Sequence, residues 1–250
     1  MSPPQARFPA EFEALLSRDG RRLLSGNHKL AGALANPRTR FVSQAGLIDR
    51  ASARQLRGLL EREIEALLVP MVQPIPPETI WAMRRNYDEL LPKTMRLRTA
   101  YLEHKRERAW AAAERIGLLA MMGSQSYRAF AEILAGRKLS GKWGRQILCY
   151  GAGDYSGPHH DHHPEDAPAR AGYVDIHLSL VSPQVAAHHL VYAKAGHFSE
   201  IADVARDGLI SAYRLPFWHY TTPLQARAGQ AAKARRWVLL GTFLYAPPKM

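Results

Sequence analysis

The sequence predicts an α+β fold in which an N-terminal helical region precedes a β-sandwich or double-sheet jelly roll. Two observations carry this. Up to about residue 140 the apolar residues recur at helical spacing, and beyond it they fall into short, strand-length runs separated by turn residues. Helices come first and strands after, which excludes an alternating α/β chain. The division is placed between residues 140 and 141. Residues 1–140 read as a helical, basic elaboration supporting the core, and residues 141–250 as the core itself.

The elements follow in order. Ser52-Ala53-Arg54-Gln55 has the form of a capping box. It opens a helix through Leu68 on the stripe Leu56, Leu59, Leu60, Ile64 and Leu67. Pro70 ends that helix, and Pro74, Pro76 and Pro77 mark a stiff connection. A second helix covers 78–91. Pro92 suits a first helical turn, so a third is predicted from there to Met122, with Gly123 as its stop. Ser126 to Leu134 predicts one more, closed by Gly136. In the second part Gln146–Tyr150, Tyr173–Leu180, His189–Tyr192, Leu209–Leu215 and Trp237–Tyr245 read as strands, with Asp207-Gly208 as a turn.

Composition narrows the class. Hydrophobic residues at 46% and charged residues at 22% suit a packed protein and exclude a wholly disordered one. No apolar run reaches the length of a membrane-spanning helix, and Met1-Ser2-Pro3-Pro4-Gln5 lacks the pattern of a secretory signal. The single cysteine, Cys149, excludes an intramolecular disulfide and a cysteine-rich zinc site, and reads as a small buried hydrophobe. A reducing, cytoplasmic setting is expected. The net charge of +12 is concentrated before residue 151, where 25 Lys and Arg face 14 Asp and Glu; beyond it the numbers are 9 and 8. That excess admits a polyanionic partner. Interleaved acids and bases, as in Glu103, Lys105, Arg106, Glu107 and Arg108, favour a solvated face instead.

Nine of the eleven histidines lie after residue 150, and the densest cluster is His159-His160-Asp161-His162-His163. In extended chain, residues two apart share a side, so His159 and Asp161 reach one metal ion together while a third ligand comes from elsewhere. Two histidines and one carboxylate on one face leave three positions open, the arrangement of non-haem Fe(II) oxygenases. From these residues alone, an adventitious zinc site or a plain polar loop stays open. His160, His162 and His163 read as exposed neighbours; His177, His188 and His189 read as pocket wall or surface.

Further features stand in order around the cluster. Tyr150-x-x-Gly153 precedes it, and His219 lies 58 residues after Asp161. Pro223-Leu224 and then Arg235-Arg236-Trp237-Val238 follow. In this order the segment from about 144 to 246 resembles the Fe(II)/2-oxoglutarate-dependent dioxygenase superfamily, in its prolyl-4-hydroxylase-like branch. The resemblance implies a double-stranded β-helix core. It implies that His159, Asp161 and His219 hold Fe(II), and that Arg236 pairs with the far carboxylate of 2-oxoglutarate. Arg235 is the alternative for that role, and Tyr150 adds a hydroxyl. O₂ would take the last metal position, with succinate, CO₂ and an oxidised C–H bond as the outcome.

The sequence also departs from the branch. His188-His189 stands where a Gly-Gly pair is common, and 17 residues separate His219 from Arg236, which implies a hairpin insertion around 226–234. Residues 1–140 have no counterpart in the resemblance. Two other functions are carried alongside. One is a nucleic-acid-directed oxygenase, or a nucleic-acid-binding protein with a non-catalytic barrel, on the strength of the basic first part. The other is a non-enzymatic metal-binding interaction protein. The expected substrate is a small molecule or a peptide.

Overall fold

The protein is described here from a computed structural model, over residues 7–74, 94–161 and 172–246. Five α-helices are present among these residues: α1 (Arg18–Leu24), α2 (Arg50–Glu63), α3 (Arg108–Arg115), α4 (Leu118–Met122) and α5 (Gln125–Ala135). The early strands are β1 (Phe41–Gln44), β2 (Val69–Pro74), β3 (Thr94–Tyr101), β4 (Leu139–Tyr150) and β5 (Tyr155–Ser156). Then come β6 (Tyr173–Val181), β7 (Val185–Ala187), β8 (His189–Lys194) and β9 (His197–Asp203). The last are β10 (Leu209–Arg214), β11 (His219–Thr221), β12 (Gln225–Ala226) and β13 (Arg236–Tyr245). No helix among the described residues is long and apolar enough to cross a membrane.

The strands form a curled, antiparallel double sheet. The larger sheet runs β1-β10-β6-β13-β4-β3-β2, with β5 added to β3, and the smaller runs β11-β8-β9. This is the predicted jelly roll. Three strands that precede residue 140 hydrogen-bond into the larger sheet: β1 on β10, and β3 between β4 and β2.

Strand alternation gives this sheet two different faces. On β13, Arg236, Val238, Leu240, Thr242 and Leu244 line an interior cavity. Their neighbours Trp237, Leu239, Phe243 and Tyr245 join the apolar cluster beneath the helices. On β6, Tyr173, Asp175 and His177 face the cavity while Val174, Ile176, Leu178 and Leu180 face the helices. Every residue of β6 is buried, because helices cover one face and the smaller sheet the other. Leu56, Leu60, Phe12, Phe130 and Met121 supply the helical side of the core. Each such side chain contributes about 1.5–3 kcal/mol on burial.

Several predicted elements move. The helix opening at Ser52 begins earlier: Asp49 is the N-cap, accepting from the Ser52 N–H at 2.9 Å, and the Ser52 hydroxyl bonds back to Asp49. That helix ends at Glu63, and a 3-10 turn covers Glu65–Leu67. The proline-marked connection is β2 as far as Pro74. Both of its prolines fit because β2 is the outer strand of the sheet. The single helix from Pro92 to Met122 is instead β3, α3 and α4. Met95, Leu97 and Tyr101 alternate toward the cavity, and Arg98 points away to Glu65 at 2.8 Å, so the period is two, not 3.6. The helix at 78–91 lies outside the described residues. α5 and its Gly136 stop stand as expected. The insertion near 226–234 is no self-paired hairpin: β12 pairs with β7, and a 3-10 turn follows at Ala231–Lys233.

Candidate functional site

The interior cavity holds about 700 Å³ and is lined by residues of both sheets. At its wall the backbone of His159 pairs with that of His219, each N–H donating to the other's carbonyl at 3.0 Å. This two-bond bridge brings together rings that sequence distance keeps apart, with centroids 4.4 Å from one another. Asp161 completes the group. Its Oδ1 lies 3.2 Å from His159 Nε2, and its Oδ2 lies 3.8 Å from His219 Nε2. One ligand atom from each residue lies within 4.8 Å of the others, a set that suits a metal ion. All three residues read as metal ligands in the sequence thus converge.

The approach to His159 depends on a turn. Gly153 has φ of +80°, the left-handed region that glycine enters at little cost. Its N–H donates to Leu224 O at 2.9 Å, and the Leu224 N–H returns to Asp154 O, also at 2.9 Å. His219 is held from below by aromatic packing. Phe217 stacks on its ring at 5.2 Å and Tyr213 lies 5.2 Å away.

Both imidazoles are oriented the same way. His159 Nδ1 lies 2.6 Å from Gly157 O, and His219 Nδ1 lies 2.8 Å from Phe217 O. A carbonyl only accepts, so each Nδ1 carries the hydrogen and each Nε2 is left to act as a ligand. Two Nε2 lone pairs and a carboxylate facing one another repel unless a cation lies between them. A proton on His159 is one such cation. Burial works against it, but Asp161 outweighs burial and raises the proton affinity of His159. Burial and the neighbouring His159 lower His219 to about 4. Burial pushes Asp161 upward, but His159 and His219 dominate and hold it well below the usual carboxylate range. A divalent metal ion is the cation that satisfies all three at once, and these donors fit it.

Arg236 opens β13 and points inward; it is 2% exposed. Its guanidinium donates to Ser179 Oγ at 3.1 and 3.3 Å, approaches His188 Nδ1 at 3.4 Å and lies 5.4 Å from the Tyr150 ring centroid. No carboxylate pairs with it among the described residues. Arg235, one residue earlier, points the other way and binds Glu65 at 2.8 Å. The two arginines that the sequence left as alternatives therefore face opposite sides of the sheet. Tyr150 is buried in the cavity wall. Its hydroxyl shares a hydrogen bond with Ser156 at 3.0 Å, and Thr221 Oγ1 accepts from the Ser156 N–H at 2.8 Å.

Other residues sort clearly. His160 packs edge-on against Trp218, with centroids 4.5 Å apart. His162 and His163 lie outside the described residues. His177 lines the cavity, and burial, followed by Arg236, lowers it to about 3. His188 is fully buried beside Arg236 and Tyr150, so the bulkier pair in place of Gly-Gly sends one ring inward. His189 is half-buried at the start of β8. Burial pushes the Cys149 thiol up to about 12, against the pull of Arg98, which leaves no nucleophile there. Ser179, Asp175 and Thr242 were not singled out in the sequence. The signal available was the period-two row Asp175, His177, Ser179 on β6.

No protein-family model and no curated protein matches the sequence. Solved structures do match. A Pseudomonas putida prolyl-4-hydroxylase is 16% identical, covering 87% of this chain and 100% of its own, with a TM-score of 0.53. An oxidoreductase of the 2OG-Fe(II) oxygenase family from Burkholderia pseudomallei is 12% identical, covering 97% and 96%, with a TM-score of 0.56. The epimerase SnoN of nogalamycin biosynthesis is 13% identical over 91% and 83%, at 0.51, and one of its structures is a complex with Fe3+, alpha ketoglutarate and nogalamycin RO. The fold of this chain is therefore the double-stranded β-helix of the prolyl-4-hydroxylase-like 2-oxoglutarate–Fe(II) oxygenases, which the ordered motifs resemble.

Proposed function

We propose that this protein is an Fe(II)- and 2-oxoglutarate-dependent dioxygenase acting on a C–H bond of a small-molecule or peptide substrate. One observation carries the reading: a buried, unpaired arginine and a two-histidine, one-carboxylate group share a single cavity. A buried guanidinium that no carboxylate pairs with among the described residues is costly, so Arg236 calls for an anionic ligand. A keto acid with two carboxylates satisfies the arginine with one end and chelates a metal with the other.

His159, Asp161 and His219 would hold the iron. When bound, iron and 2-oxoglutarate supply the oxidising power drawn from O₂, with succinate and CO₂ as co-products. The remaining work falls to the chain. Arg236 binds the far carboxylate through two parallel N–H groups. Ser179 and His188 orient its guanidinium, since both hydrogen-bond to it. Tyr150 closes the same end of the cavity. The carbonyls of Gly157 and Phe217 keep the two histidines in the tautomer that leaves Nε2 free. The enclosing walls exclude water and set which C–H bond approaches the metal.

The test is anaerobic addition of Fe(II) and 2-oxoglutarate to the folded protein. A weak visible charge-transfer band is expected for the wild type and is lost in His159→Ala. A folded wild type with no band refutes the proposal.

A further inference from the structure

The cavity continues well past the arginine. Along β13 the inward residues run from Arg236 through Leu240 to Thr242, and on β6 these stand opposite Val181, His177 and Asp175. Six residues of strand separate Arg236 from Thr242, roughly 20 Å. Asp175 therefore lines the cavity well away from the arginine, with only Tyr173 and Leu244 farther along these two strands.

Its surroundings are unusual for a carboxyl group. It is 3% exposed, and its Oδ1 has no hydrogen-bond partner among the described residues. Thr242 bonds to the side chain, and no arginine or lysine acts on it. An unpaired carboxylate held this deep costs several kcal/mol; the empty site avoids that cost by keeping the proton, and an ammonium ion that takes the proton's place removes it as well. Burial, and after it the charge of Asp161, pushes the group up to about 8. Among the described residues the only other acid on this cavity apart from Asp161 is Glu103, which is exposed. Leu240, Leu244 and Tyr173 give this end an apolar surface, and Tyr101, Gly144, Arg145 and Gln146 also line it. On a chain of net charge +12, this end of the cavity carries two acids, and Asp175 is the buried one.

We infer that Asp175 determines specificity in this cavity by binding the protonated amine of a substrate whose body is apolar. The inference rests on the oxygenase reading only in calling the bound molecule a substrate. A neutral polar group is recognised as well by an amide or a hydroxyl, with no charge to bury. A carboxyl with no internal cation is the side chain that gains from an ammonium ion.

The test compares matched probes. Benzylamine and hexylamine are titrated against the protein by calorimetry, alongside benzyl alcohol and 1-hexanol, both metal-free and with Mn(II) and 2-oxoglutarate present. The amines are expected to bind roughly tenfold or more tightly than the alcohols, as suits a charged hydrogen bond. Asp175→Asn, which keeps the shape and the Thr242 contact, is expected to abolish that difference, with folding checked by thermal melting. Amines that bind no better than the alcohols, no binding by either, or an undiminished preference in Asp175→Asn each overturn the inference. The wild-type comparison stands even where the variant fails to fold. The Fe(II)–2-oxoglutarate band is scored separately, so either reading can fail while the other survives.

Discussion

His159 and His219, sixty residues apart in the chain, are fixed by the same two devices. Each exchanges a backbone hydrogen bond with the other at 3.0 Å, and each anchors its ring on the carbonyl two residues before it. Neither device needs the metal, so the site is organised by the fold in advance of any ligand.

This separates binding from folding. His159→Asn and His219→Asn keep the backbone bridge. Each is expected to weaken Fe(II) binding by about 100-fold or more, beyond what outer contacts of a metal site usually contribute. Thermal melting of the metal-free variants should change little. Fe(II) titration checks the first expectation and calorimetry the second; unchanged affinity refutes the ligand assignment.

Arg235 and Arg236 give a paired test. Arg236→Met is expected to weaken 2-oxoglutarate binding by about two orders of magnitude, since truncation removes one partner of a buried charged pair. Arg235→Met loses only a part-exposed bridge to Glu65, worth about 1 kcal/mol or less, and should leave 2-oxoglutarate affinity unchanged. Equilibrium titration of both variants decides. The reverse ranking sinks the role given to Arg236.

Acid should destabilise the protein below pH 6.5, where His177, His188 and His219, all lowered by burial, outnumber Asp175, whose raised carboxyl acts in the opposite direction. Burial, followed by Arg236, lowers both His177, to about 3, and His188. A histidine lowered in the folded state binds more protons when unfolded. Its contribution is therefore full above the unfolded value near 6.5 and is lost as pH falls toward the folded value. Each such histidine is expected to remove up to about 1.4 kcal/mol per pH unit below 6.5. Denaturant unfolding between pH 7 and 4 measures the slope, and His177→Gln should flatten it. A slope left unchanged by His177→Gln contradicts the burial of that ring.

Gly241 lies where α5 crosses β13. A Cβ there would stand 2.5 Å from the Tyr127 hydroxyl and 2.8 Å from its ring. Gly241→Ala is expected to cost about 1–3 kcal/mol through overpacking. Adding Tyr127→Leu should recover part of that cost, so the two changes are not additive. Thermal or urea unfolding of the two single variants and the double variant tests the contact; strict additivity contradicts it.

The later strands and the metal group were legible in the sequence because their signals are local. An apolar run, a turn pair and a His-x-Asp spacing each declare themselves within a few residues. β3 was not legible as a strand. Its arginines and methionine are good helix formers, and its period of two showed only once Arg98 and Leu97 were seen on opposite faces. β2 was hidden by its prolines, which an outer strand tolerates. The row Asp175, His177 and Ser179 was visible as alternation, but a polar face of an antiparallel strand ordinarily meets water. Here it meets an enclosed cavity, because a second sheet covers it. Only the pairing of distant strands supplies that fact.

The pairing of β1 with β10, and of β3 with β4, limits how this molecule can be cut. A chain beginning at residue 141 would strip both flanking strands and leave the backbone amides and carbonyls of β4 and β10 open. Bare strand borders recruit other chains. Excision of the barrel alone should therefore produce insoluble material rather than a smaller soluble core, and attempts at miniaturisation must retain the early strands.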